Sequence, residues 1–257
     1  MDICTPTFLH ESQVREALSY PCSVICEKPL TFKAAIAREL FDLARINGVH
    51  LYVAHVVRFM KEAILVRRLI EEETYGKVLD AQFKRLSAVP EWAAGGWLFD
   101  PLKSGLLPYD LHIHDLDLII SLFGTPDAFE SYMSHAAYDF GEHLVMNYTI
   151  GNKRIIAEAG WLNALIPFTV EWFIYFERGY LVYRNDVLIV YPSEGEEVHY
   201  PLADDVLIST GINVPATGMY YRELSHFVSC LTEQRDSEII GADQVIAALA
   251  VLEKITL

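Results

Sequence analysis

Positive charge is scarce in this sequence. Its 257 residues include 20 Lys and Arg against 35 Asp and Glu, which gives a formal net charge of −15. Such a chain repels a phosphate backbone, so nucleic acid is excluded as a partner and a small-molecule ligand is favoured. Long apolar runs are absent too: LIISLF and VLIVY are far too short to cross a bilayer. We therefore expect no membrane contact.

The sequence also lacks any Cys-x-x-Cys pair, although it has four cysteines, Cys4, Cys22, Cys26 and Cys230. Nothing near Met1 resembles a signal peptide. Both absences predict reduced thiols in a cytoplasmic protein.

The N-terminal part of the sequence has the pattern of a parallel α/β sheet. Strands are predicted at residues 2–5, 23–26 and 50–57, and helices at residues 10–19 and from an N-cap at Thr31 to near Gly48. Alternating strands and helices with short connections favour parallel pairing with right-handed crossovers. Ligands of such sheets bind beyond the carboxyl ends of the strands, here at Thr5-Pro6, Glu27-Lys28-Pro29 and Arg58-Phe59.

Of these residues, Lys28 is the strongest candidate for a functional role. Glu27-Lys28 would ordinarily be interpreted as a solvated ion pair in a loop. Its position between a buried strand and Pro29 favours a functional role, because the proline restricts the backbone and so determines where Lys28 points.

Strands dominate the later part of the chain. After a helix at 62–73 and a strand at 78–86, strands are predicted at 143–150, 154–160, 168–177, 180–183, 187–191 and 197–201. Asn185-Asp186 is a predicted hairpin turn, and helices at 217–232 and 242–254 follow. The result is a large, mostly antiparallel sheet. In strand 168–177 one face carries Trp172, and the other carries Phe173 and Tyr175; the second face is either a subunit interface or covered by a loop.

The segment between Gly95 and Gly124 has the highest concentration of side chains that could take part in catalysis or ligand binding. Pro108 suits the first position of a helix that Gly124 ends. On that helix Asp110, His114, Asp117 and Ser121 fall on one face. Most of the remaining surface is apolar, which predicts a buried helix whose polar stripe is hydrogen-bonded internally or lines a pocket.

Two other interpretations of this helix remain open. His114 could be a core histidine held between Asp110 and Asp117. His112-x-His114 could bind the metal of a hydrolase, but helical spacing sets the two rings about 200° apart. We therefore expect no metal at this position or elsewhere.

Together these motifs resemble the Gfo/Idh/MocA oxidoreductases, a family that includes glucose-fructose oxidoreductase and inositol dehydrogenase. The motifs that carry the resemblance are Cys4-Thr5-Pro6 with His10, Glu27-Lys28-Pro29, Arg58-Phe59, Gly96-Trp97, Ser104-Gly105 and Asp110-x-x-x-His114-x-x-Asp117. The resemblance implies an α/β plus α+β chain. Residues 1–58 would be the C-terminal part of a Rossmann NAD(P)-binding domain. Residues 59–257 would be an open-faced mixed, mostly antiparallel sheet with helices on one face, which binds substrate and forms the oligomer.

The resemblance also implies roles for individual residues. NAD or NADP would be bound by Thr5, Pro6, His10, Glu27, Lys28, Pro29 and Arg58. Lys28, Asp110 and His114 would be catalytic, and Trp97, Asp110 and His114 would bind substrate. Histidine titrates in the range needed to take a hydroxyl proton while hydride leaves for the nicotinamide. Asp110 would stabilise the imidazolium, and Lys28 would hydrogen-bond the reacting oxygen.

The sequence departs from the family pattern in three ways. Arg58-Phe59 is followed by Met60 and Lys61 rather than the more usual proline. Leu106 stands where many members have another glycine. The Gly-x-Gly-x-x-Gly turn and the acidic residue for the ribose are also missing. Because a βαβ unit takes about 30 residues or more, we expect a half-domain of roughly 60 to 70 residues before Met1, either lost or outside the given sequence.

These observations predict an NAD(P)-dependent oxidoreductase that transfers a hydride between a nicotinamide cofactor and a sugar, polyol or related hydroxy compound. We expect a homodimer or homotetramer formed through the second sheet. Residues 1–257 alone would have little activity. The alternative is a non-catalytic small-molecule binding or scaffold protein that keeps the substrate domain.

Overall fold

A short parallel sheet forms the first part of the molecule. The structure, a computed structural model, describes residues 1–90, 94–135, 138, 141–202 and 218–255. Strands β1 (Asp2–Ile3), β2 (Val24–Glu27) and β3 (Leu51–Ala54) pair in parallel in that order. Helices α1 (His10–Leu18) and α2 (Ala34–Ile46) connect them. The predicted alternation is confirmed, although β1 and β3 are shorter than expected, since Val56–Phe59 already forms a 3-10 helix.

The N-terminus of α2 corrects one prediction. Thr31 is buried and does not cap the helix, whose N-cap position is Lys33. The N–H of Ala34 instead donates to Glu253 Oε1 at 2.5 Å. A side chain that is distant in sequence satisfies the first helical N–H, so local sequence could not reveal this cap.

The second sheet has eight strands. Their bounds are β4 (Val78–Ala88), β5 (Ala128–Ser134), β6 (His143–Ile150), β7 (Lys153–Leu162), β8 (Thr169–Phe176), β9 (Gly179–Arg184), β10 (Val187–Pro192) and β11 (Val198–Tyr200). Their order is β11-β10-β9-β8-β4-β7-β6-β5, and β4 with β7 is the parallel pair among antiparallel ones. The mixed, mostly antiparallel sheet is confirmed. Asn185 and Asp186, with φ of 52° and 58°, make the predicted hairpin turn.

The two faces of this sheet have different environments. Trp172 and Ile174 of β8 are fully buried, and Phe83 of β4 packs edge-on against Phe123 at 6.2 Å between ring centroids. On the opposite face Tyr175 is partly exposed and lies in register with Tyr180 of β9. The helices therefore cover one face, and the other carries exposed aromatic side chains.

Helices surround the junction between the two sheets. Helix α3 (Lys61–Glu71) precedes β4, α4 (Pro101–Ser104) is a single turn, and α5 (Ile113–Phe123) lies in the core. Helix α6 (Gly218–Glu233) packs on the 3-10 turn after β3, and α7 (Ala242–Leu252) packs on both α2 and α5. Within the described part of the chain, no helix has the length and apolar character of a bilayer-crossing segment.

Candidate functional site

Lys28 and Asp110 meet at the carboxyl end of the first sheet. Lys28 follows β2, and its Nζ donates to the backbone oxygen of Asp110 at 2.7 Å and lies 3.2 Å from Asp110 Oδ1. The exposed fractions of these side chains are 14% and 24%, so the pair is partly sheltered from water. The sequence placed both residues in the site, and the structure brings them into contact.

The predicted stripe on the Pro108–Gly124 helix needs a correction. Pro108–His112 forms a π-helical turn, and the α-helix proper begins only at Ile113. A π turn contains about one more residue than an α-helical turn. The residues before it are therefore rotated about the helix axis by roughly 100° relative to an unbroken α-helix. Asp110 therefore faces Lys28, and no hydrogen bond joins it to His114. The expected Asp110–His114 pair is absent.

His114 is a neutral imidazole at the edge of this pair. Burial lowers its pKa well below the usual value, and the positive charges of Lys28 and Arg85 add to the effect. Its Nδ1 is enclosed without a hydrogen-bond partner, whereas Nε2 is not enclosed. The core interpretation, with His114 held between Asp110 and Asp117, is therefore wrong too. A neutral, unpaired imidazole can accept a proton.

Asp117 belongs to a separate, fully buried ion pair with Arg58. Arg58 Nε and Nη2 donate to the two carboxylate oxygens at 2.7 and 2.6 Å. Its Nη1 donates to Ile239 O at 2.6 Å and to Gln244 Oε1 at 2.5 Å. Burial alone would raise the pKa of Asp117, but the charge and hydrogen bonds of Arg58 bring it below the usual value.

Arg58 was expected at the cofactor, and the structure places it elsewhere. Because β3 ends at Ala54 and the chain then coils into the Val56–Phe59 turn, the guanidinium points beneath α5 and is only 2% exposed. Its hydrogen bonds join the chain after β3 to α5 and α7. The role that the geometry supports is structural.

His55 is a residue that sequence reasoning missed. It directly follows β3, is 2% exposed, and has its Nδ1 3.5 Å from Asp117 Oδ1. Burial lowers its pKa to about 4, and the charge of Asp117 offsets only part of that shift. Its position at the carboxyl end of the third strand was the available signal.

The loops after β1 and β2 are joined through His10. Its Nε2 lies 2.7 Å from Thr5 O and its Nδ1 lies 2.8 Å from Pro29 O, and the ring is 1% exposed. Thr5 Oγ1 in turn donates to Gln13 at 2.6 Å. His10 thus braces Thr5 and Pro29 from inside.

Glu27 and Glu223 place two carboxyl groups near this sheet edge. Burial raises the pKa of Glu27. Burial also raises the pKa of Glu223 on α6 to about 9, with a further contribution from the charge of Glu27. Glu223 is 2% exposed, and its Oε1 has no hydrogen-bond partner. Nothing in the residue pattern indicated that α6 brings a carboxyl group here.

The other histidine of this helix faces away from the site. His112 is fully buried, and its Nε2 lies 2.6 Å from the hydroxyl of Tyr148, with the two rings stacked. Asp115 pairs with Arg85 through two bonds of 2.9 Å. His112 and His114 therefore have separate environments and do not converge on one ion.

Trp97 lies in the 3-10 helix Ala94–Phe99 and is half-buried against the core. No hydrogen bond of its side chain to Lys28, Asp110 or His114 is found among the described residues. Its predicted contact with substrate remains a prediction. Nearby, Leu106 adopts a left-handed φ of 59°. This is a conformation that glycine adopts more readily, which fits the glycine common at this position in the family.

Two family models match this chain. One, described as the oxidoreductase family with an NAD-binding Rossmann fold, matches residues 1–55, and the Gfo/Idh/MocA C-terminal domain matches residues 64–182. Together they match more than half of the chain. The protein belongs to the Gfo/Idh/MocA oxidoreductase family, as its motifs indicated.

Similar proteins with curated descriptions are considerably longer. An uncharacterized oxidoreductase of Schizosaccharomyces pombe is 34% identical over 124 residues, which is 48% of this chain and 33% of that protein. The 1,5-anhydro-D-fructose reductase of Ensifer adhaerens is 29% identical over 152 residues, covering 59% of this chain and 45% of the relative. The matched part thus spans less than half the length of these two relatives.

Solved structures confirm the fold. An oxidoreductase from Agrobacterium radiobacter, in complex with NAD+, L-tartaric acid and magnesium, superposes with a TM-score of 0.85 at 16% identity. A levoglucosan dehydrogenase in complex with NADH gives 0.82 at 19% identity. Each alignment covers 98% of this chain and 75% of the other.

Proposed function

We propose that this chain forms the substrate site and part of the nicotinamide site of an NAD(P)-dependent oxidoreductase acting on a sugar, polyol or related hydroxy compound. One observation carries the proposal: Lys28 is held by Asp110 beside the neutral, unpaired imidazole of His114. Lys28 lies at the carboxyl end of a parallel strand, where α/β sheets bind ligands, and Asp110 and His114 approach this end from the π turn and α5. The family match supplies the reaction class.

The residues at this edge fit the nicotinamide end of a dinucleotide. Thr5 and Pro6 follow β1, and Glu27 and Lys28 follow β2, with His10 fixing the two loops relative to each other. When bound, the nicotinamide would supply the acceptor or donor of the hydride. Arg58 is not part of this proposal, because its guanidinium is enclosed beneath α5.

The chemistry of the chain's own groups then follows. His114 Nε2 accepts the hydroxyl proton as the carbon loses its hydride, so that an alcohol becomes a carbonyl, and it returns the proton in the reverse reaction. Lys28 Nζ donates a hydrogen bond to the reacting oxygen, and Asp110 holds the ammonium in place. Trp97, which is half-buried in its 3-10 helix, would form a wall of the substrate site.

The substrate class is supported by the names of similar proteins. These include a 1,5-anhydro-D-fructose reductase and a levoglucosan dehydrogenase. The exposed Tyr175, Tyr180 and Tyr191, in register on adjacent strands, support assembly of two or four copies through this face. The four free cysteines are consistent with a cytoplasmic location.

The test is cofactor-dependent turnover by the longest in-frame form of the protein. A panel of sugars, polyols and hydroxy acids is assayed with NAD+ and with NADP+ by absorbance of the reduced cofactor. Turnover that falls by roughly 10² to 10⁴ in His114→Ala supports the proposal. Saturable substrate binding with no turnover in any combination favours the non-catalytic binding protein.

A second measurement concerns residues 1–257 alone. Pyrophosphate binding in this fold uses a glycine-rich turn, and no Gly-x-Gly-x-x-Gly occurs in these residues. We expect this polypeptide to bind NADH and NADPH very weakly in fluorescence or calorimetric titrations. Micromolar binding of either cofactor would contradict the assignment of the cofactor site.

A further inference from the structure

Three side chains with metal-binding atoms meet where α6 connects to α7. His226 and Cys230 are one helical turn apart on α6, and Glu238 lies in the connection to α7. One ligand atom from each of the three lies within 4.8 Å of the other two. In the part of the chain that the structure describes, no other three His, Cys, Asp or Glu residues converge in this way.

The spacing of the helical pair suits zinc. His226 Nε2 lies 3.5 Å from Cys230 Sγ. With Zn–S near 2.3 Å and Zn–N near 2.0 Å, a tetrahedral ion separates its nitrogen and sulfur ligands by about 3.5 Å. Residues four apart on a helix hold this separation without rearrangement of the backbone. Cys230 is fully buried, so its sulfur is held in place by packing.

The third side chain can reach the same ion. A carboxylate oxygen of Glu238 lies within 4.8 Å of a ring nitrogen of His226 and of Cys230 Sγ, and the glutamate side chain is 64% exposed, so that it has room to adjust. The other carboxylate oxygen pairs with Arg235, whose Nε also bonds Glu233 at 2.6 Å. A hydrogen-bonded carboxylate that offers its second oxygen is the arrangement that orients metal ligands.

One interaction competes with the metal. The Ser237 hydroxyl lies 2.8 Å from His226 Nε2, and Ser237 Oγ accepts hydrogen bonds from the N–H groups of Ile239 and Ile240 at 3.2 and 3.0 Å. An ion bound through Nε2 must displace this hydroxyl from the ring nitrogen, which lowers affinity without removing the site.

We propose that His226, Cys230 and Glu238 form a zinc site with an open fourth position. Thiolate, imidazole and carboxylate together favour zinc over the harder divalent cations. This inference replaces the expectation of no metal, which considered only His112 and His114. It does not depend on the oxidoreductase activity.

A metal bound at this site would also affect a neighbouring segment of the structure. Ile239, next to Glu238, supplies the carbonyl that accepts from Arg58 Nη1 at 2.6 Å. Arg58 in turn holds Asp117 of α5. A metal that fixes Glu238 against α6 would therefore stabilise the segment that closes the buried ion pair beneath the candidate site.

The test is titration of chelator-treated protein with cobalt(II) and zinc(II). Cobalt bound to a thiolate gives a near-ultraviolet charge-transfer band, and one equivalent per chain should produce it. Zinc should abolish the band and, at roughly a hundred times its Kd, raise Tm by about 5 °C or more. Cys230→Ser should lose the band, while Cys22→Ser, which alters a thiol outside the group, should keep it.

A second variant protects the test against misfolding of Cys230→Ser. Glu238→Gln alters an exposed side chain and should keep the band while weakening cobalt binding at least about tenfold. The proposal is overturned if wild-type protein gives no band, if the band persists in Cys230→Ser, or if Glu238→Gln binds cobalt as tightly as wild type.

Discussion

Lys28 and Asp110, 82 positions apart in sequence, are joined by two contacts, Nζ to the Asp110 carbonyl at 2.7 Å and Nζ to its carboxylate at 3.2 Å. Lys28 directly follows β2 of the first sheet, and Asp110 lies in the π turn that leads into α5. The contact therefore links the first sheet to the segment before α5 at the place where we propose that the reaction occurs. A π turn widens a helix, and such turns are frequent at functional sites.

The first prediction concerns this pair. Lys28→Ala should lower kcat by roughly 10² to 10⁴ in the longest in-frame form of the protein, because the reacting oxygen loses its hydrogen-bond donor. Asp110→Asn should lower kcat as well, and the double variant should lose much less than the product of the two effects, since both changes disrupt one unit. Steady-state kinetics measure all three.

A matched control for that experiment is Lys254→Ala, an exposed lysine after α7. It should leave kcat unchanged. If the losses in the two single variants multiply in the double variant, the residues act independently, and the contact in the structure has no role in catalysis.

The sequence predicted most of the fold because hydrophobic periodicity carries it. The alternation of buried residues in β8, with Trp172 and Ile174 inside, follows from the amino-acid order. Strand β5 escaped prediction because none of its residues from Ala128 to Ser134 is fully buried, so it shows no apolar alternation. It is a strand because it pairs with β6. Its own sequence does not reveal that pairing.

Helical spacing selected Asp110 and His114, and the strand end before Pro29 selected Lys28; the structure brings Lys28 into contact with Asp110. The sequence did not predict this contact. It placed Asp110 against His114 because an unbroken α-helix was assumed, and the π turn cannot be read from the residue types. Arg58 was misplaced for a similar reason, since the 3-10 turn after β3 redirects its side chain. Both errors arise from backbone irregularities that tertiary packing determines.

The second prediction concerns the buried ion pair. Arg58→Met leaves Asp117 enclosed without its main partner, and the free energy of unfolding should fall by about 3 to 5 kcal/mol. Arg58→Met with Asp117→Leu should recover part of that loss, because no unpaired charge remains. Urea unfolding at neutral pH gives the values.

Arg68→Met, on the exposed side of α3, is the control and should change stability little. Unaltered stability in Arg58→Met, with weakened cofactor binding, would return Arg58 to the cofactor site.

The third prediction is a loss of stability in acid. Burial lowers the pKa of both His55 and His112 to about 4, and also lowers that of His114. At pH values below about 6.5, the pKa of histidine in the unfolded chain, the unfolded chain binds protons that the folded chain does not bind. The free energy of unfolding should therefore decrease as pH falls from about 6.5 toward 4.

His112→Gln isolates one contributor, since glutamine can keep a hydrogen bond to Tyr148 and does not titrate. Over this pH range its stability should fall less steeply than that of wild type, by up to about 1.4 kcal/mol per pH unit. His199→Gln changes an exposed histidine and serves as the control. Parallel curves for His112→Gln and wild type would show that His112 protonates in the folded state.

The last prediction concerns Glu223, where the sign is opposite. Burial raises its pKa from 4.5 to about 9, so between these values the folded state keeps a proton that the unfolded state releases. Its contribution to stability is complete below the unfolded pKa and is lost as pH rises toward 9. Above pH 6.5 the buried histidines no longer change stability, so wild type should lose stability as pH rises from 6.5 to 8.

Glu223→Gln keeps the shape and removes this titration, so its stability should depend less on pH over the same interval. At pH 8 the variant should be more stable than wild type by on the order of 1 to 3 kcal/mol. Urea unfolding at both pH values provides the comparison, with Glu72→Gln, an exposed residue at the end of α3, as the control. Equal pH dependence of Glu223→Gln and wild type would mean that Glu223 is ionised in the folded protein, and that an unseen cation or hydrogen-bond donor compensates its buried charge.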